Sequence, residues 1–177
     1  MIKKIPITLK QIQRKLQVPQ HVLIHLCEKG VIEPDHQQTS GRGVRREFSD
    51  RNLFEFAVAL SLRRFEIPVA TTAAIVRLTR SFDRASKKLI PGFELPGYLL
   101  EHRITLNLSL YDGHYLVFSA QRLEGKPLRI GFNLDKILES STAAVKLEKL
   151  DEMPTDYDAH LEIGLSRIAR RVFNDSK

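Results

Sequence analysis

Residues 7–30, ITLKQIQRKLQVPQHVLIHLCEKG, decide how the first half of the chain is read. Thr8 followed three residues later by Gln11 has the form of a capping box, and Leu9, Ile12 and Leu16 then recur at helical spacing. QVPQ interrupts this short helix, and Pro19 suits the first turn of a second one. On that second helix Val22, Leu23, Leu26 and Cys27 share one face, while Gln20, His21, Ile24, His25 and Glu28 share the other. Gly30 ends it as a left-handed residue does. Two short helices joined by a tight turn form a candidate helix-turn-helix, with the second helix presenting its outer face.

Working outward, VIEPDHQQTSGRGVRREFS is too polar for a core and too short for another helix. Val31 and Ile32 are expected to pair with Arg46 and Phe48 as short strands, with residues 34–44 as the loop between them. Ser49 caps a third helix over residues 50–64, whose buried stripe is Leu53, Phe56, Ala57 and Leu60. EIP breaks it. A fourth helix over residues 69–88 sets Ile75, Leu78, Phe82, Ala85 and Leu89 on one side and Arg77, Arg80, Arg84 and Lys87 on another.

LIPGFELPGY carries two breaks and marks the expected domain boundary, which separates residues 1–88 from 98–177. The texture then changes to strand alternation. Ile104, Leu106, Leu108 and Leu110 alternate with polar residues, Asp112-Gly113 is a hairpin signal, and residues 114–120 return. The register this implies sets Leu110 opposite Tyr115 and Leu108 opposite Val117. A third strand is expected over residues 128–132, and residues 133–150 read as a short helix followed by a helix or a strand. Asp156 is expected to cap a terminal helix carrying Tyr157, Leu161, Leu165, Ile168 and Val172. The fold class is α+β.

Charge narrows the partner. The formal net charge is +7, and it is uneven: residues 1–90 hold 17 Lys/Arg against 8 Asp/Glu, whereas residues 91–177 hold 11 against 13. A basic half is what a polyanion requires, since each neutralised phosphate releases counterions. No apolar run approaches the ~20 residues of a membrane span. MIKKIPITLKQIQ lacks the apolar core of a secretory signal, and the single Cys27 excludes an intramolecular disulfide and a CxxC zinc motif. A cytoplasmic protein without a membrane partner is expected. His21 and His25 stand one turn apart without a third metal ligand nearby, and the acidic run LDEMPTDYDAHLE is explained by helix capping, so no metal or cofactor is expected. GxSxG, HExxH and a phosphate-binding glycine loop are all missing, so no motif argues for an enzyme.

Taken in order, these pieces resemble the N-terminal domain of the MerR family of transcription regulators. ITLKQIQRKLQV resembles that family's opening helix, CEKGVIEP its helix end and first wing strand, GVRREFSDRNL its wing and third helix, and LRRFEIPVATTAAIV the link into the fourth. The likeness covers about residues 6–85. It implies a winged helix-turn-helix of four helices and a two-stranded wing; the small C-terminal α+β domain that follows, with its hairpin and terminal helix, is read from its own alternation and turns and not from the resemblance. The resemblance also implies binding to double-stranded DNA as a homodimer, with the second helix in the major groove. The DNA-binding residues so expected are Gln20, His21, Ile24 and His25 on that helix, Arg42, Arg45 and Arg46 on the wing, and Arg77 on the fourth helix. The resemblance points to Arg45 most directly. Where the family carries Arg-Tyr-Tyr-Glu in the second helix, this chain has Ile24, His25, Leu26 and Cys27, and Val44 stands for the family's wing aromatic. Those departures keep an alternative open: a protein-interaction module on a degenerate winged fold. The C-terminal half is expected to dimerise or bind a partner, or else to hold a small-molecule or protein effector.

Overall fold

The computed structural model describes residues 6–37, 46–121, 128–139, 148–149 and 155–174, in an α+β arrangement. It comprises two compact units, residues 1–76 with 172–177 and residues 77–171. The division falls inside a helix, ahead of the Pro91-Gly92 break.

In the first unit, α1 (Leu9–Leu16) begins with the expected capping box. The Thr8 amide donates to Gln11 Oε1 at 2.7 Å, and the Gln11 amide donates to Thr8 Oγ1 at 3.3 Å. Gln17, left-handed at φ 53°, closes it, and α2 (Gln20–Glu28) follows with Pro19 at its cap. Ile12, Leu23 and Leu26 are buried, as their spacing requires.

Val31 and Ile32 depart from expectation. They do not form a strand: both amides donate to the Leu26 carbonyl, at 2.9 and 3.2 Å, and both side chains are buried. The left-handed Gly30, at φ 66°, turns the chain back so that these amides close the end of α2. The two-stranded ribbon instead pairs β1 (His36–Gln37) with β2 (Arg46–Glu47), Gln37 opposite Arg46. Phe48 pairs with Ile7 through two backbone bonds of 2.7 and 3.0 Å.

Ser49 caps α3 (Asp50–Arg63) as expected. Its burial is wider than one stripe, running through every residue from 52 to 59, whereas Leu60 is only half-buried. A helix buried nearly all round can serve as the centre of its unit. Phe48 meets Phe56 edge to face at 5.5 Å. Glu66, at φ 56°, makes the turn into α4 (Val69–Leu89), whose Ile75, Leu78 and Phe82 are buried as the period predicts.

The second unit is built on a five-stranded antiparallel sheet. Its strands are β3 (Thr105–Tyr111), β4 (Tyr115–Gln121), β5 (Leu128–Asn133), β6 (Glu148–Lys149) and β7 (His160–Gly164), in the order β6-β5-β4-β3-β7. Phe82 stacks on Phe118 at 5.0 Å, and Phe118 meets Phe132 edge-on at 5.8 Å. The LIPGFELPGY segment is no free linker here. Its Phe93, Leu95 and Tyr98 are buried, and it contains α5 (Gly97–Glu101). The Leu95 amide donates to the buried Asp83 carboxylate at 2.8 Å, whose other oxygen meets Lys87 Nζ at 3.3 Å. Between β5 and β6 lies α6 (Leu134–Glu139), the short helix expected there.

The hairpin register is shifted by one from the expected pairing. Leu110 faces Leu116 and Leu108 faces Phe118. Asp112 and Gly113 take left-handed conformations as predicted, and His114 is the extra residue. Its carbonyl turns away from the β3–β4 ladder to accept from the Leu134 amide at 2.7 Å. The shift places apolar side chains opposite one another on the covered face.

The terminal helix also begins later than expected. Residues 160–164 pair with β3, and α7 (Leu165–Asn174) starts at Leu165, so the exposed Asp156 does not cap it. Besides the ladder with β3, two residues, Asp112 and Ser166, tie this segment to the sheet. The Asp112 carboxylate accepts the Asp158 and Ala159 amides, and the Asp112 amide donates to the Ala159 carbonyl at 2.9 Å. At the other end the buried Ser166 hydroxyl accepts from the Leu106 amide and donates to the Ile104 carbonyl, both at 2.7 Å.

Removing that hydroxyl deprives two buried backbone groups of their partner. Ser166→Ala is expected to destabilise the second unit by about 2 kcal/mol or more, read as a lower urea midpoint. The exposed His114 ring lies 3.0 Å from Asp135, whose hydrogen bond and charge raise the imidazole pKa. The contact favours the folded hairpin below the ordinary histidine range and is lost as pH rises through the raised value. Asp135→Asn is expected to bring the His114 midpoint down, as followed by NMR of the ring protons.

Candidate nucleic-acid interface

Of the eight residues expected to touch DNA, six are described, and these lie on three elements. On α2, Gln20 and His21 are exposed and Ile24 and His25 half-buried, while Leu23 and Leu26 anchor the helix in the core. Positions 20, 21, 24 and 25 recur on one strip of the helix, so the side chains that can donate or accept hydrogen bonds there come together. Ile24 adds an apolar contact surface in their midst.

Arg46 is exposed on β2, and its guanidinium reaches the Cys27 thiol on α2. Burial pushes the thiol pKa up, against the downward pull of the Arg46 charge and hydrogen bond, and burial prevails. Cys27 is half-buried, with the Arg46 cation acting on its thiol. Arg42 and Arg45, with Val44, lie outside the described residues. Arg77 is exposed on α4 and belongs to the second unit.

What holds the ribbon in place is a buried side chain at its base. Asn52 is wholly buried. Its Oδ1 accepts the Asp35 amide at 2.9 Å and the Ser49 amide at 3.2 Å. Its Nδ2 donates to the Glu33 carbonyl at 2.9 Å and to Glu55 Oε2 at 3.0 Å. The carboxamide's four hydrogen-bonding positions are all used. Glu33 and Asp35 lead into β1 and Ser49 follows β2, so one amide group clasps both legs of the ribbon. Ser49 Oγ also donates to the Asp35 carboxylate across the same base. Only the position of Asn52 three residues after Ser49 was visible beforehand, as the second half of a capping box.

The outer face of α1 carries a second polar surface. Lys10, Gln13, Arg14, Gln17, Val18 and Pro19 line a shallow open groove. The polar residues recur at i, i+3, i+4 and i+7, a spacing visible in the sequence only when polar rather than apolar positions are followed. Two cations and two amides along a helix preceding α2 are chemically suited to phosphate oxygens. Among the described residues no group of three or more His, Cys, Asp or Glu side chains could hold a metal ion, and no helix is long and apolar enough to cross a membrane.

Compared with models of known protein families and with curated proteins, the chain matches none. The interface therefore rests on its own geometry.

Asn52→Leu keeps the branched heavy-atom skeleton and removes four hydrogen bonds. It is expected to cost about 3–4 kcal/mol, at ~1 kcal/mol for each bond. Amides 46–48 are expected to lose hydrogen-exchange protection before those of α3.

Proposed function

We propose that the protein is a sequence-specific DNA-binding transcription regulator acting as a dimer. In this reading the first unit is a winged helix-turn-helix of the MerR type, with α2 in the major groove and the ribbon on the flanking backbone. The observation that carries it is the placement of Arg46 against α2. A cation-bearing ribbon clasped at its base lies beside a helix that exposes Gln20 and His21. Glutamine can read an adenine edge in two hydrogen bonds, and histidine can donate to or accept from a base. The basic groove on α1 fits a helix that crosses the backbone ahead of the reading helix. The +7 net charge supplies the attraction that non-specific association needs. Two copies about a two-fold axis would read a near-palindromic site.

One observation favours the alternative of a protein-interaction module. Phe65, at the turn between α3 and α4, is 57% exposed, and Val69, the first residue of α4, is 37% exposed. Exposed apolar side chains of that size are what a protein partner covers.

Selection of bound sequences from random duplex DNA separates the two. An enriched near-palindrome is expected, with affinity that falls steeply between low and moderate salt and is lost in the Arg45→Ala, Arg46→Ala double variant. A folded protein that enriches no motif and shows no salt-dependent affinity overturns the DNA reading. Phe65→Ser should then abolish partner binding instead.

A further inference from the structure

The second half of the chain has a slight excess of acid, and that balance conceals a strongly basic surface. Within α7, Arg167, Arg170 and Arg171 are all exposed, and their i, i+3, i+4 spacing puts them on one face. The helix itself, LSRIARRVFN, contains no carboxylate. None of the three arginines has a hydrogen-bond or ion-pair partner among the described residues. Three guanidinium groups within little more than one turn repel one another unless an anion lies between them. Such a stripe suits a ligand with closely spaced negative charges.

The rest of the helix decides which ligand. Its apolar side is already used: Leu165 and Ala169 are 0% exposed, Ile168 5% and Val172 7%. A membrane-surface helix needs that side free to enter the acyl boundary, so α7 cannot bind lipid in that way. A protein partner would need an apolar centre to bury, and α7 exposes no large apolar side chain. What remains is charge with a planar, forked geometry, which matches phosphate oxygens. Arg167 and Arg171 are separated by about 6 Å along the helix axis, so the stripe can follow successive charges on a backbone.

We infer that α7 binds the phosphate backbone of a nucleic-acid duplex, outside the base pairs contacted by α2. The inference rests on the DNA-binding reading and extends it to the second unit. Phosphate contacts carry no base information, so this face raises affinity for all sequences equally and leaves selectivity to α2.

The test is fluorescence anisotropy of the full chain with a selected and a random duplex across a salt series. It compares wild type with the Arg167→Gln, Arg170→Gln, Arg171→Gln triple variant. Each lost phosphate contact lowers the log–log salt slope by about 0.9, so the triple variant is expected to lose about 2–3. Its affinity should fall by the same factor on both duplexes. The three side chains are exposed, so its thermal melt should match wild type. If the triple variant fails to fold, Arg167→Gln and Arg171→Gln singly carry the test, each lowering the slope by about 0.9. A wild-type protein that binds with a slope unchanged in the variants overturns the role of α7 and leaves α2 and the ribbon as the DNA-binding surface. A wild type with no salt-dependent duplex affinity overturns both readings. Arginine-dependent binding to phosphatidylserine vesicles, with duplex binding unaltered, overturns the inference in favour of a lipid surface.

Discussion

The Asn52 carboxamide can make four hydrogen bonds and makes all four inside the protein. Burying an amide without partners costs several kilocalories, so this side chain permits only an arrangement that supplies two donors and two acceptors at once. The chain supplies them from the approach to β1, from the cap of α3 and from Glu55 one turn along. The consequence is mechanical. A ribbon with described strands of two residues each has too few ladder bonds to hold its own orientation. Clasped at both legs by a group on the most buried helix of the unit, it acquires the rigidity of that helix.

That constraint extends towards function through Arg46 and Cys27. Once the legs are held, Arg46 of β2 meets Cys27 of α2, the helix that exposes Gln20 and His21. The same logic recurs in the second unit. Asp112 at the hairpin tip and Ser166 at the start of α7 each hold backbone groups from distant parts of the chain. Between them they make β7 a strand of the sheet and allow α7 to start only where the strand ends. Polar side chains thus specify geometry that apolar burial alone leaves loose.

The helices of the first unit were legible because their signals are local. A capping box needs four residues, a left-handed stop needs one glycine, and an amphipathic stripe needs two turns. The exposed strip on α2 could be read from spacing for the same reason. The ribbon register could not. Val31 and Ile32 look like strand residues because they are β-branched, but their amides are captured by the Leu26 carbonyl, a competition that propensity does not register. The terminal segment failed similarly. Leu161 and Ile163 fit either a helix or a strand, and the free edge of β3 decided for a strand.

The amino-acid order by itself determined which segments of the first unit are helical and where each of those helices begins, that the second half contains an antiparallel hairpin, and that the basic charge is concentrated in the first half. These follow from interactions among residues a few positions apart, whose energies are the same in any fold. The tertiary structure decided the strand pairings, the one-residue shift at His114, the clasp at Asn52 and the bare arginine face of α7. Each depends on which backbone groups and carboxylates remain unclaimed once distant segments have met, and that is settled only when the chain is folded.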